Sequence, residues 1–245
     1  MDFDVITDGL KKGFDVWKDN AAAYIIGCII VGFSFFIAIA GFVFSTFIVV
    51  FISQAIMMLS GSITGMIGSI VVSLVATLII RLLVLLFLIL VVVPLGFGLI
   101  NMAIKGARGD KVEIKDIFYS FTSSKVYKRN VTFAFVAFIP FIVLGIISAV
   151  PLMGLIAFLL LPIVLILVPF FLIFAAHIYI MTPSENVMYA INENLNIVKP
   201  NVVMIFVLIL ICGIIGSIPL VSPVSLIAIT FILKELKPDL RDESA

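Results

Sequence analysis

The chain has 245 residues, 64% of them hydrophobic and 12% charged, with a formal net charge of +1. Ordinary soluble domains run at roughly 45–50% apolar and about 25% charged. This balance excludes a water-soluble helical protein, whose helices need polar faces, and it leaves no basic surface for nucleic acid.

The charges lie in three patches, residues 1–20, 105–130 and 182–201, with a short tail from Lys234. Between the patches, residues 21–104, 131–181 and 202–233 carry one charge, Arg81. Apolar runs beyond about 18 residues read as membrane spans, because about 20 residues at 1.5 Å each cross a ~30 Å hydrocarbon core. Lipid offers no water to unpaired backbone groups, so spans are helices or closed barrels, and unbroken runs without alternation indicate helices. The predicted fold is all-α: a polytopic integral membrane protein of about six transmembrane helices in three hairpins. Each hairpin is preceded by an amphipathic interfacial helix.

In residues 1–20, Ile6, Leu10, Phe14 and Trp17 recur at helical spacing and predict an apolar stripe lying on a membrane surface. This is not a cleavable signal, since Asp2, Asp4 and Asp8 precede the lysines and the next apolar run is too long. Residues 21–104 form the first hairpin, with spans near 21–44 and 82–104. The remainder, 45–80, predicts an extended outer hairpin that turns at Ser60-Gly61-Ser62 and either projects beyond the bilayer or re-enters it. One arm carries Thr46, Ser53 and Ser60 every seven residues, and the other Gly65, Ser69, Ser73, Thr77 and Arg81 every four. Such a stripe lines a wet path, with Arg81 as its fixed charge, or lets two helices pack closely. Both readings stay open.

Residues 105–130 form a cytoplasmic loop with a diverged surface helix, whose apolar residues are Ile114, Ile117, Phe118 and Phe121. Asp110, Glu113 and Asp116 alternate with Lys111 and Lys115, a solvated and charge-balanced pattern. Lys125, Lys128 and Arg129 are candidate contacts for an anionic lipid headgroup, at about 1 kcal/mol per basic residue. Residues 131–181 are the second hairpin, with spans near 131–150 and 153–181 joined at Val150-Pro151-Leu152. The third interfacial helix, 182–201, opens on Thr182-Pro183-Ser184-Glu185 as a capping box and carries Val187, Ile191, Leu195 and Val198 on one face. Residues 202–234 form a short third hairpin, 202–217 and 220–234, that crosses once or twice. A polar tail, 235–245, follows.

The patches end alike: Val16-Trp17-Lys18-Asp19-Asn20, Val126-Tyr127-Lys128-Arg129-Asn130 and Ile197-Val198-Lys199-Pro200-Asn201. Asparagine ahead of an apolar run predicts a helix N-cap, and lysine beside an aromatic ring suits the headgroup zone. A repeated unit follows, a surface helix and then a pair of spans. Basic residues at span ends stay on the cytoplasmic side. They place the N-terminus and the patches in the cytoplasm and the protein in the plasma membrane.

Ala103-Ile104-Lys105-Gly106-Ala107-Arg108-Gly109-Asp110 leads into Asp116-Ile117-Phe118, and Ala190-Ile191 precedes Asn196-Ile197-Val198-Lys199-Pro200-Asn201. In these motifs the chain resembles uncharacterised prokaryotic polytopic membrane proteins, similar to the membrane domain attached to some glycerophosphodiester phosphodiesterases. The resemblance implies a six-helix membrane module of unassigned role and carries over no catalytic residue.

Chemistry-bearing residues are few. His177 is the single histidine, without a carboxylate or thiol near it in sequence. Cys28 and Cys212 sit in apolar runs as small hydrophobes. No acidic residue falls inside a span, which argues against a carboxylate relay, and no phosphate-binding loop or nucleophile elbow is found. Gly96-Phe97-Gly98, after Pro94, reads as a helix flaw. No metal or cofactor is expected. The expected function is a non-enzymatic structural or accessory module that contacts membrane lipids and forms a homo-oligomer. The rival is a channel or facilitator with a path along the serine-threonine stripe and Arg81.

Overall fold

Long apolar runs without β-branched alternation fold as helices. The structure, a computed structural model, describes residues 2–60, 63–148 and 153–240 and contains no strand among them. Ten α-helices follow in order: α1 Phe3–Asp19, α2 Ala21–Ser60, α3 Ile63–Phe87, α4 Val93–Arg108, α5 Ser124–Ser148, α6 Met153–Leu172, α7 Ala175–Met181, α8 Val187–Val198, α9 Val202–Gly216 and α10 Ser222–Leu236. Four stretches, Ala21–Leu59, Gly65–Arg108, Ser124–Leu144 and Val187–Gly216, are long and apolar enough to cross a membrane. The predicted turns at Gly61-Ser62 and Val150-Pro151-Leu152 lie outside the described residues.

Between α3 and α4 the helix widens into a π turn, Leu88–Val92. Pro94 explains it: proline brings no N–H to the turn before it and crowds that turn with its ring. The chain divides into two units, Met1–Ile29 with Pro94–Ala245, and Ile30–Val93.

The larger unit has a protein-filled core. Residues 222–234 of the expected sixth span belong to α10, and nine of the fifteen residues of α10 are buried. Its neighbour is α1, running antiparallel to it. A Cβ at Gly9 would stand 2.7 Å from Ile232 Cγ1, and one at Gly13 would stand 2.9 Å from the Val224 carbonyl oxygen. Glycine at this four-residue spacing lets the two backbones close up.

That contact changes the reading of α1, which has three faces. Ile6, Gly9 and Gly13 are buried, Phe3 and Phe14 are exposed, and Asp4, Asp8, Lys11, Lys12 and Asp15 cover the remainder. The stripe Ile6, Leu10, Phe14 and Trp17 therefore splits between a docking face and an outward aromatic face. Because α10 is sheathed by a charged helix and by core, its apolarity is spent on protein.

The middle surface element is a 3₁₀ helix, Ile114–Phe121. With three residues per turn, Ile117 and Ser120 point inward while Ile114, Phe118 and Phe121 are exposed, so the four apolar residues do not share a face. Gly98 accepts this segment: a Cβ there would overlap the Ile117 carbonyl. The predicted helix flaw at Gly96-Phe97-Gly98 is thus a docking notch at Gly98. Nothing lies within 4 Å of a Cβ at Gly96.

The smaller unit is built from the outer part of α2, from α3 and from the π turn. It buries Ala38, Val49, Ser69 and Ile89 and exposes apolar side chains around the rest of its surface. Phe44, Phe47 and Phe51 are 69%, 70% and 73% exposed. Residues 45–60 continue α2 without a break.

Candidate functional site

The polar collar at 105–130 is built by short-range chemistry. Gly109, at φ +84°, ends α4 in a left-handed residue. The Asp110 N–H donates to the Lys105 carbonyl at 3.1 Å and the Gly109 N–H to the Gly106 carbonyl at 3.0 Å, a Schellman closure. Lys105 Nζ then reaches Asp116 Oδ2 at 2.8 Å, and the Glu113 N–H donates to the same oxygen at 2.9 Å, completing a capping box on the 3₁₀ helix. Lys115 Nζ lies 2.6 Å from Glu113 Oε2 and, by hydrogen bond and charge, holds the Glu113 carboxyl below the usual carboxylate range. Of the carboxylates and lysines expected as a solvated loop, Asp116 fastens the loop to α4 through Lys105, while Asp110, Lys111 and Lys115 are exposed.

The basic cluster divides. Lys125 and Lys128 are exposed, whereas Arg129 is half-buried. Its guanidinium donates to the carbonyls of Tyr179 and Thr182, the latter at 2.7 Å, and stacks 3.9 Å from the Tyr179 ring centroid. Tyr179 Oη returns a hydrogen bond to the Arg129 carbonyl at 2.8 Å. Tyr179 also meets Phe133 and Phe97 at ring-centroid distances of 5.0 and 6.3 Å. Charge-assisted bonds and ring stacking are the stronger members of their classes. They clamp α5 to α7.

The three equivalent asparagines do not cap forward. Asn20 Nδ2 donates back to the Val16 carbonyl at 3.0 Å, and Asn201 Nδ2 to the Ile197 carbonyl at 2.8 Å. The first and third copies thus share one geometry. Asn130 instead lies inside α5, buried, and donates to Ser120 Oγ at 2.8 Å. Ser120 passes its own proton to the Pro94 carbonyl at 2.6 Å. Nor does Thr182 cap the third surface helix. Its hydroxyl donates to the Ile178 carbonyl at 2.7 Å, and α8 starts later, with Asn186 Oδ1 accepting from the Tyr189 N–H at 2.9 Å.

Of the stripe, Ser73 reaches the other arm, while Ser69 bonds within its own helix. Ser73 Oγ donates to Ser53 Oγ at 2.7 Å, and Ser69 Oγ to the Met66 carbonyl at 2.8 Å. Ser69 is buried, Gly65, Ser73 and Thr77 are half-buried, and Arg81 is exposed. Arg81 borders an apolar cleft of about 330 Å³ with Phe35, Phe42 and Leu88.

His177 lies deep in the larger unit, 1% exposed, where its Nε2 meets the Leu226 carbonyl at 3.1 Å. It lines a cavity of about 510 Å³ shared by α4, α6, α7, α9 and α10. Asn194 escaped the sequence reading altogether. It is fully buried, and its Oδ1 accepts from the Phe174 N–H at 2.9 Å, satisfying a donor left open where the helix is interrupted between α6 and α7. A polar residue at a buried register of an otherwise apolar helix face is the signal that could have found it. Among the described residues, no group of three His, Cys, Asp or Glu side chains could hold a metal ion.

Comparison with protein-family models, with curated proteins and with solved structures found no match to this chain.

Proposed function

We propose that the chain is a non-enzymatic integral membrane module of the plasma membrane, with its N-terminus and polar collars in the cytoplasm, that assembles with copies of itself through the outer hairpin. One observation carries this reading. The 40 residues of α2 form an unbroken helix, about 60 Å long at 1.5 Å per residue. A hydrocarbon core is ~30 Å thick. Even a tilt of about 40° leaves roughly 46 Å along the bilayer normal. The surplus carries Met58 and Leu59, 78% and 89% exposed, together with the phenylalanines below them. Contiguous exposed apolar surface of this extent needs a partner, and further copies supply one with the same pattern.

A solute path along the stripe is the weaker reading, because the hydroxyl protons of Ser69 and Ser73 are spent on a helix carbonyl and on Ser53. Lys125 and Lys128, exposed beside the collar, are the proposed contacts for anionic headgroups.

The test is the stoichiometry of the full chain in detergent and in nanodiscs, by light scattering over a concentration series. Assembly is expected in the native chain and weakened in F47S/F51S. A native chain that stays monomeric throughout contradicts the proposal.

A further inference from the structure

Arg81 is a cation without a counter-charge in its own unit. No aspartate or glutamate lies between Asp19 and Asp110, so the unit Ile30–Val93 holds no carboxylate. Arg81 makes no ion pair among the described residues. A guanidinium is always charged, so the charge cannot be shed by losing a proton. Its side chain is exposed and lines the apolar cleft of about 330 Å³ between the two arms. The Ser53–Ser73 bond sets the arms antiparallel, so Arg81 shares one end of the cleft with Phe42, and Leu88 shares the other with Phe35. The two ends stand seven residues apart on one arm, about 10 Å at 1.5 Å per residue. Ala38 is buried between the arms, while Phe35 and Ile39 are exposed and leave the cleft open to its surroundings.

Depth and charge together select the occupant. Phe42 stands 21 residues beyond Ala21, where α2 leaves the collar, about 32 Å along the helix. A hydrocarbon core is ~30 Å thick. The Arg81 end of the cleft therefore meets the outer headgroup layer, and a long basic side chain reaches toward it by snorkelling. The Leu88 end lies in hydrocarbon. The bilayer supplies phosphate at the first level and acyl chain at the second, and a planar guanidinium fork matches phosphate oxygens. A zwitterionic lipid would bring an ammonium group that finds no carboxylate in this unit, and a diacylglycerol would leave Arg81 uncompensated. We propose that the cleft binds an anionic phospholipid of the outer leaflet, with Arg81 on its phosphodiester and Phe35, Ile39 and Leu88 along an acyl chain. The site rests on the membrane placement of α2 proposed above and not on self-assembly, because Phe47 and Phe51 do not line the cleft.

The full chain in phosphatidylcholine nanodiscs is photolabelled with a trace lipid carrying a diazirine on its acyl chain, and the adducts are mapped by mass spectrometry. The probe's headgroup is either phosphatidylglycerol or phosphatidylcholine. The phosphatidylglycerol probe should label residues 35–42 and 84–88 about fivefold more than its phosphatidylcholine twin. Unlabelled phosphatidylglycerol should compete the excess away. R81Q should bring the two probes level, and R81K should keep an excess. Equal labelling by the two headgroups in the native chain overturns the proposal, whether or not R81Q folds. So does an excess that survives in R81Q, or displacement by hexadecanoate at lower concentration than by phosphatidylglycerol. Absence of labelling there with both probes overturns the proposal together with the membrane placement of α2, whereas equal labelling leaves that placement standing.

Discussion

The two units use apolar helices in opposite ways. In the larger unit, α10 buries nine of fifteen residues against α1 and its neighbours. In the smaller unit, four of the described residues are buried, and phenylalanines of α2 are left 69–73% exposed. Hydropathy states how much a segment gains by leaving water. It does not state whether the new surroundings are the chain itself, lipid or another copy. Among the described residues, close approach at glycine is confined to the larger unit: Gly9, Gly13, Gly98 and Gly106 admit close neighbours, whereas nothing lies within 4 Å of a Cβ at Gly32, Gly41 or Gly68 of the smaller unit, nor at Gly96, Gly213 or Gly216 of the larger.

The sharpest way to break this contrast is to add bulk to each unit. G98A forces a methyl group into the Ile117 carbonyl, and both partners are backbone. It should destabilise the protein by about 3 kcal/mol or more, at the upper end of overpacking costs. G41A, with open space around it, should change stability by no more than about 0.5 kcal/mol. Chemical unfolding in detergent micelles measures both, and equal losses would erase the distinction.

Next in size is N194L, which strands the Phe174 N–H inside the core. A buried donor without a partner costs about 1–3 kcal/mol, so the same unfolding assay should show a loss in that range. The outer hairpin should be far less sensitive. S53A and S73A remove the bond between its arms, and a double-mutant cycle should give a coupling near 0.6 kcal/mol.

The smallest effect concerns the ion pair of Lys237 and Glu193, 2.7 Å apart at the surface of the larger unit. Glu193 hydrogen-bonds Lys237 and raises its pKa above the ordinary 10.5. A raised folded value means the pair's contribution is complete below the unfolded pKa and is lost as pH rises through the folded one. Stability should therefore fall by a few tenths of a kcal/mol above pH ~10.5, and less so in high salt. K237M should remove that pH dependence and leave the outer hairpin unchanged.

Much of the fold was legible because bilayer-length apolar runs and charge patches are one-dimensional signals. The all-helical class and the presence of helices long and apolar enough to cross a membrane could be read directly. The fate of 220–234 could not, since fifteen apolar residues look the same against lipid as against α1. The three Lys-x-Asn endings were visible, but the direction in which each amide points depends on where the preceding helix stops. Asn20 and Asn201 reach back to a carbonyl, while Asn130 is drawn inward by Ser120. The cavity beside His177 was invisible for a different reason: its lining comes from five helices spread between Ile100 and Ile229.

The contrast between the units is tested most directly by a lipid-dissolved carbene reagent acting on the native chain in bilayers, with labelling mapped by residue. The account predicts heavy labelling of residues 30–44 and 74–87, where apolar side chains face outward, and little labelling of 224–233, where α10 is enclosed by protein. Labelling of 224–233 at the density of the two arms would contradict it, because α10 would then be a lipid-facing span.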